Sequence, residues 1–140
     1  MDYEDMERKI TEEQVKLFLL CSPHNPVSRV WTKEELLRVG EICQKHGVLV
    51  VSDEIHADMT LFGHKHIPFA SVSDTARNIS ITFHAPSKTF NIAGIVSSYA
   101  IIPNEDIRNR FYKWLSPNEL DEPTLFAPIA TIAAFRKGEE

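Results

Sequence analysis

Apolar residues run in short continuous blocks along this chain, separated by polar turns. Val15 to Leu20 is apolar apart from Lys16, and Val48 to Val51 is apolar throughout. Ile79 to Phe83 forms a third block, and Ile95 to Ile102 a fourth, diluted by Ser97 and Ser98. Blocks of that length bounded by turn residues predict buried strands. Between the first two lies Thr32-Lys33-Glu34-Glu35, a T-x-x-E capping box that predicts a helix start. Leu36, Val39, Gly40 and Cys43 then recur on one helix face, and Gly47 stands where that helix should stop. Residues 15–52 therefore read as strand–helix–strand, which implies parallel strands joined by a right-handed crossover.

The remaining pattern is simpler. Residues 1–14 are polar, with apolar positions sparse enough to read as a helix whose packing partner is missing. Residues 58–77 read as an irregular polar excursion, with Gly63-His64-Lys65-His66 as an exposed turn. Asn104-Glu105-Asp106 predicts an N-cap with two acids in the first turn. Ile107, Phe111, Trp114 and Leu115 follow as an amphipathic stripe, and Leu125, Ile129, Ile132 and Ala133 repeat helical spacing near the end. The fold class is α/β: a mostly parallel sheet flanked by helices. Both ends stop without an obvious packing partner, so residues 1–140 read as part of a larger domain.

Composition narrows the function classes. The net charge of -5 over 140 residues does not favour a nucleic-acid surface. The longest apolar runs are strand-sized, too short for a membrane helix, and the acidic N-terminus lacks the features of a signal peptide. A cytoplasmic setting is the default. Cys21 and Cys43 form no disulfide framework or metal pattern and read as small hydrophobes.

The chemistry-bearing residues cluster after the strands. Ser52-Asp53-Glu54-Ile55-His56 spells the DExH string of nucleic-acid motors. That string needs a phosphate-cradling G-x-x-x-x-G-K-[ST] loop, and glycines 40, 47, 63, 94 and 138 form none. A different set fits better. Ser22-Pro23-His24-Asn25-Pro26, Ser52 to His56, and Ala85-Pro86-Ser87-Lys88-Thr89-Phe90 each follow an apolar strand. In an open parallel sheet, ligands bind beyond the carboxyl ends of the strands. The three loops are thus expected to deliver Asn25, Asp53, His56 and Lys88 to one crevice.

Taken singly, each residue has a plainer reading. Asn25 between prolines is an ordinary turn residue, Asp53 an ordinary loop acid, Lys88 a solvated lysine. Glu54 reads as structural rather than catalytic. His24, His46 and His84 read as structural, and His64 and His66, lacking a third ligand, as solvent-exposed. Order and spacing favour the joint reading: Asp53 lies 28 residues after Asn25, and Lys88 lies 35 after Asp53.

In that order and spacing the chain resembles the fold-type-I pyridoxal-phosphate (PLP) enzymes, the class I/II aminotransferase superfamily. P-H-N-P, S-D-E-I-H-A-D and A-P-S-K-T-F-N-I-A-G look most like its cystathionine β-lyase-like (MalY/PatB) branch. The resemblance runs from about residue 10 to 140 and implies part of the PLP-binding large domain. It implies that Lys88 holds the cofactor as an internal aldimine and then moves the substrate Cα proton. Asp53 would pair with the pyridine nitrogen, Asn25 and His56 with the ring's phenolic oxygen, and Ser87 with the phosphate. The activity implied is a C–S β-lyase acting by α,β-elimination on sulfur amino acids; a class I/II aminotransferase uses the same residues. A small amino-acid substrate and a homodimer are also implied. Two positions depart from many aminotransferases: Ala85 stands where they carry Ser, and Val96 where they carry an Arg that grips the phosphate. The lost Arg fits the lyase-like branch. In the family, a glycine-rich phosphate loop precedes this region and a carboxylate-binding Arg follows it. Neither lies within these residues, so a catalytically incompetent fragment is a further reading.

Overall fold

The computed structural model describes residues 1–138. Ten elements carry the fold: α1 (Tyr3–Glu12), β1 (Leu17–Cys21), α2 (Lys33–Lys45), β2 (Leu49–Asp53), α3 (Asp74–Asn78), β3 (Ser80–His84), α4 (Pro86–Thr89), β4 (Tyr99–Ile101), α5 (Glu105–Leu115) and α6 (Phe126–Lys137). The sheet order is β1-β2-β3-β4. The first three strands are parallel and β4 runs antiparallel to β3. The α/β expectation holds, with a mostly parallel sheet. The fourth strand is shorter than the 95–102 expected, and Ala93–Ile95 is a single 3-10 turn instead.

Register is the property that matters for a site. Cys21 pairs with Asp53 and Asp53 with Phe83. The last residues of β1 and β2 thus stand level with the end of β3. The segments that follow all leave from one edge of the sheet.

Side-chain alternation gives the sheet two different faces. Leu20, Val50, Ser52, Ser80 and Thr82 are buried, and Leu20 and Val50 join a core with Leu36, Val39, Ile42 and Cys43 of α2 and with Phe69, Val72 and Ala76. Burial pushes the Cys43 thiol up to about 11, so it stays protonated and inert. On the other face, Phe83 meets Phe111 of α5 at 6.2 Å between ring centroids, while Leu17 and Leu19 of β1 are exposed.

The caps formed as expected. Thr32 accepts the Glu35 N–H, and the Glu35 carboxylate accepts the Thr32 N–H, closing the capping box of α2. Gly47 takes φ +65 just after that helix, a conformation in which a side chain would be strained.

Two expectations need correction. Residues 1–14 do have a packing partner. Met6 and Ile10 of α1 are buried in the main core, and the Tyr3 hydroxyl donates to Glu35 O at 3.5 Å. Glu7 binds both Lys45 Nζ (2.7 Å) and His46 Nε2 (2.8 Å), and these two groups hold its carboxyl down at about 2. The excursion at 58–77 is also less irregular than expected, because it contains a 3-10 turn at Phe69–Ser71 and helix α3, whose Phe69, Val72 and Ala76 enter the core. Toward the C-terminus, α6 buries Ala127 but leaves Ile129, Ile132 and Phe135 exposed. Among the described residues, no helix is long and apolar enough to cross a membrane.

Candidate active site

The three strand ends build the site segment by segment. After β1, the Ser22 N–H donates to Asp53 O at 2.9 Å and keeps the chain beside β2. His24 and Arg29 then pair through their backbones, at 2.7 and 3.4 Å, so residues 24–29 form a tight turn with Asn25 near its tip. Both X–Pro bonds of this turn, Ser22–Pro23 and Asn25–Pro26, are cis. Trp31 anchors the base of the turn: its indole N–H donates to Cys21 O at 2.9 Å, and the Arg29 guanidinium lies 4.2 Å above its ring.

After β2 the chain stays against β3 for one more residue, because the Glu54 N–H donates to Phe83 O at 2.9 Å. It then coils: Ala57 N–H donates to Glu54 O and Met59 N–H to His56 O. Asp53 Oδ1 accepts the Ile55 N–H at 3.3 Å, and Oδ2 has no protein partner among the described residues. The Asn25 Nδ2–H donates to His56 Nε2 at 3.3 Å. Two expected site residues from different loops are therefore in direct contact.

After β3, Lys88 sits on a helical turn instead of the open loop expected. Phe90 N–H donates to Pro86 O, Asn91 N–H to Lys88 O and Ile92 N–H to Ser87 O. Lys88 is exposed and makes no ion pair or side-chain hydrogen bond among the described residues. Ser87 is half-buried, and its hydroxyl likewise has no partner among the described residues. Asp53 and Lys88 rise from adjacent parallel strands at the same edge, and neither touches the other.

Two contacts at this edge escaped the sequence. The first is a buried network around Glu54, which is fully buried. Its Oε1 accepts the Ser52 hydroxyl (2.8 Å) and the Phe69 N–H (2.9 Å); its Oε2 accepts His66 Nε2–H at 2.7 Å and faces His84 Nε2 at 3.5 Å. Burial pushes this carboxyl up, but the two imidazoles, the Phe69 amide and the Ser52 hydroxyl together hold it down at about 2. His66 is therefore not the exposed loop histidine expected; its side chain is 8% exposed. His64 is exposed. Among the described residues, no group of three His, Cys, Asp or Glu is gathered for a metal ion. The second contact is Thr89 Oγ1–H donating to Asp58 Oδ2 at 2.9 Å. Local signals could not disclose either, since apart from Ser52 the partners lie 12 to 31 residues apart.

Beside the Asn25–His56 pair opens a cleft of about 510 Å³, lined also by Arg29, Met59, Leu61 and Phe62. His84 stacks on Tyr99 with centroids 5.6 Å apart, closing the β3–β4 side of the edge. Burial, and secondarily the Asp58 charge, raise the Tyr99 hydroxyl above its ordinary value.

A parallel sheet whose strand ends present an amide, a carboxylate and an amine at one edge is the arrangement of a cofactor-dependent α/β enzyme domain. Residues 1–139 match the model for Aminotransferase class I and II, and the chain belongs to that family. It is 53% identical to the cystathionine beta-lyase PatB of Bacillus subtilis (strain 168), over 99% of this chain and 36% of that protein. It is 38% identical to Protein MalY of Escherichia coli (strain K12), over 98% of this chain and 35% of that protein. The crystal structure of the PLP-bound C-S lyase from Staphylococcus hominis superposes with a TM-score of 0.88 at 37% identity, covering 99% of this chain and 34% of that one. The chain thus spans about a third of the length of the relatives it matches.

Proposed function

We propose that these residues supply the lysine-bearing half of a PLP site in a C–S β-lyase that acts on sulfur amino acids. The observation that carries the reading is the common edge: Asn25 in contact with His56, Asp53 at the end of β2, and Lys88, without an ion pair among the described residues, on the turn after β3. The donor set fits the cofactor. An exposed amine suits its aldehyde, a carboxylate with a free oxygen suits a pyridinium nitrogen, and amide and imidazole N–H groups suit a phenolic oxygen.

Each residue has a defined task in this reading. Asp53 holds a proton on the ring nitrogen. The Asn25 amide has a second N–H beyond the one given to His56, and that N–H orients the ring oxygen. Ser87 contributes a hydroxyl to the phosphate. Bound here, PLP supplies an electron sink for the substrate Cα carbanion. Lys88 Nζ would anchor the cofactor and, once displaced by the substrate amine, would be free to take the Cα proton as general base. The 53% identity to PatB supports elimination over transamination. The class I/II aminotransferase remains the second reading, because the family model spans that class and both chemistries use these residues.

The activity belongs to a protein of the relatives' length, in which the remaining two-thirds completes the phosphate and substrate-carboxylate contacts. We place it in the cytoplasm as a homodimer; sedimentation of the full-length protein at twice its monomer mass is the expected result.

The deciding experiment adds PLP to the full-length protein. A visible absorption band appears, and borohydride fixes the label onto Lys88 in peptide maps. Lys88→Ala abolishes that labelling and lowers turnover by about 1,000-fold or more. Cystathionine then yields pyruvate and ammonia without an amino acceptor. Keto-acid formation that requires an acceptor assigns the aminotransferase instead, and a band that persists in Lys88→Ala removes the residue assignment.

A further inference from the structure

The Lys88 side chain makes no hydrogen bond or ion pair among the described residues, so its placement depends on what holds α4. That helix is a single turn of four residues, too short to be stable by itself. Its neighbour Thr89 donates its hydroxyl to Asp58 Oδ2 at 2.9 Å. Among the described residues this is the one side-chain hydrogen bond between α4 and the segment that carries Asp53 and His56. The acceptor end is tied back to the end of β2. Asp58 lies in the coil closed by the Ala57-to-Glu54 and Met59-to-His56 backbone bonds, and that coil begins at Glu54, whose carboxylate is buried and met by four groups.

We propose that Asp58, through Thr89, is a positioning residue: it sets the α4 turn so that Lys88 Nζ stands in reach of the cofactor held by Asp53, Asn25 and His56. The role rests on the PLP reading above. It also gives a task to the last acid of the S-D-E-I-H-A-D string, which the cofactor contacts leave unused. The Asp58–Thr89 bond ties the turn after β3 to the coil after β2, beyond the point where strand pairing ends. A carboxylate acceptor makes it stronger than a neutral pair would be. Lys88 is one residue from Thr89, so a small rotation of the turn is passed on to Nζ.

The test uses Thr89→Val, which keeps the shape and loses the hydroxyl, Thr89→Ser, which keeps the hydroxyl, and Asp58→Ala. Three measurements are made on the full-length protein. In the apoprotein, amide exchange at Phe90, Asn91 and Ile92 is about tenfold faster in Thr89→Val and Asp58→Ala than in the unmodified protein and Thr89→Ser. In the holoenzyme, the same two variants lose about 10- to 100-fold in kcat with KM nearly unchanged. The pH midpoint of the visible band also moves by about half a unit or more, while Thr89→Ser restores both within about twofold and a few tenths. A merely structural contact would lower stability and leave the band's midpoint alone.

Unchanged exchange in Thr89→Val overturns the proposal whether or not the protein binds PLP. Equal losses in Thr89→Ser and Thr89→Val overturn it in favour of simple packing. Faster exchange in a protein whose unmodified form shows no band fixed onto Lys88 withdraws the PLP reading, and this role falls with it.

Discussion

Glu54 follows Asp53 and points to the opposite side of the sheet, as alternation along a strand requires. One carboxylate has an oxygen without a partner among the described residues, and the other is buried against two imidazoles, an amide and a hydroxyl. Asp53 is therefore suited to a ligand and Glu54 to the scaffold. The Glu54 carboxyl is held below its ordinary value in the folded chain, so its ionised form contributes stability that is complete above the unfolded value near 4.5. That contribution drains away as pH falls toward about 2. Glu54→Gln places an amide N–H among donors and removes the charge. It is expected to lower unfolding free energy by about 3 kcal/mol at neutral pH, the upper end for leaving buried hydrogen-bonding groups mispaired. In urea melts, the gap between the two proteins holds from pH 7 to about 4.5 and narrows from there to pH 2; a gap that stays constant down to pH 2 would contradict the ionised network. The sequence displayed Asn25, Asp53 and Lys88 because their order and spacing is a pattern. It hid His66, whose local setting, Gly63-His64-Lys65-His66, looks like a turn and whose partner is placed by tertiary packing.

Among the elements, α1 illustrates the same limit from the other direction. Two apolar positions, Met6 and Ile10, looked too few to anchor a helix. They suffice because α2 offers them a hydrophobic flank and because Lys45 and His46 clasp Glu7 at its last turn. Ile10→Ala is accordingly expected to cost about 2–4 kcal/mol in denaturant unfolding, the range for a core deletion. A helix packed on nothing would lose under about 0.5 kcal/mol. The strands were easier to read, since continuous apolar runs between turn residues are the pattern of parallel strands in α/β sheets. β4 was harder, because an antiparallel edge strand with Tyr99 and Ile101 exposed needs no such run. Helix α2 was legible at both ends: its capping box and its terminal glycine are local chemistry that tertiary packing had no reason to override.

At the scale of the whole molecule, the apolar surface is unevenly covered. Leu17 and Leu19 on β1, Trp114 on α5, and Leu125, Phe126, Ile129 and Ile132 on and beside α6 are all exposed. A surface of that kind on an isolated chain drives association. The 140-residue chain alone is expected to show concentration-dependent mass in sedimentation, reduced by the double change Ile129→Asp and Ile132→Asp. A strictly monomeric isolated chain would show that these residues find cover within it.

The strand register has one more consequence. Because β1, β2 and β3 run the same way, the connections that enter them lie together at the far edge: Gln14 before β1, Gly47 before β2 and Asn78 before β3. All three are exposed, and none belongs to the cleft. The molecule thus separates a conserving edge from a permissive one. Residues added beside Gln14 act on the end of the sheet that carries none of the proposed chemistry. Spacing between Asn25, Asp53 and Lys88 is then preserved by the strands themselves, as the rungs of a ladder stay level when a foot is extended.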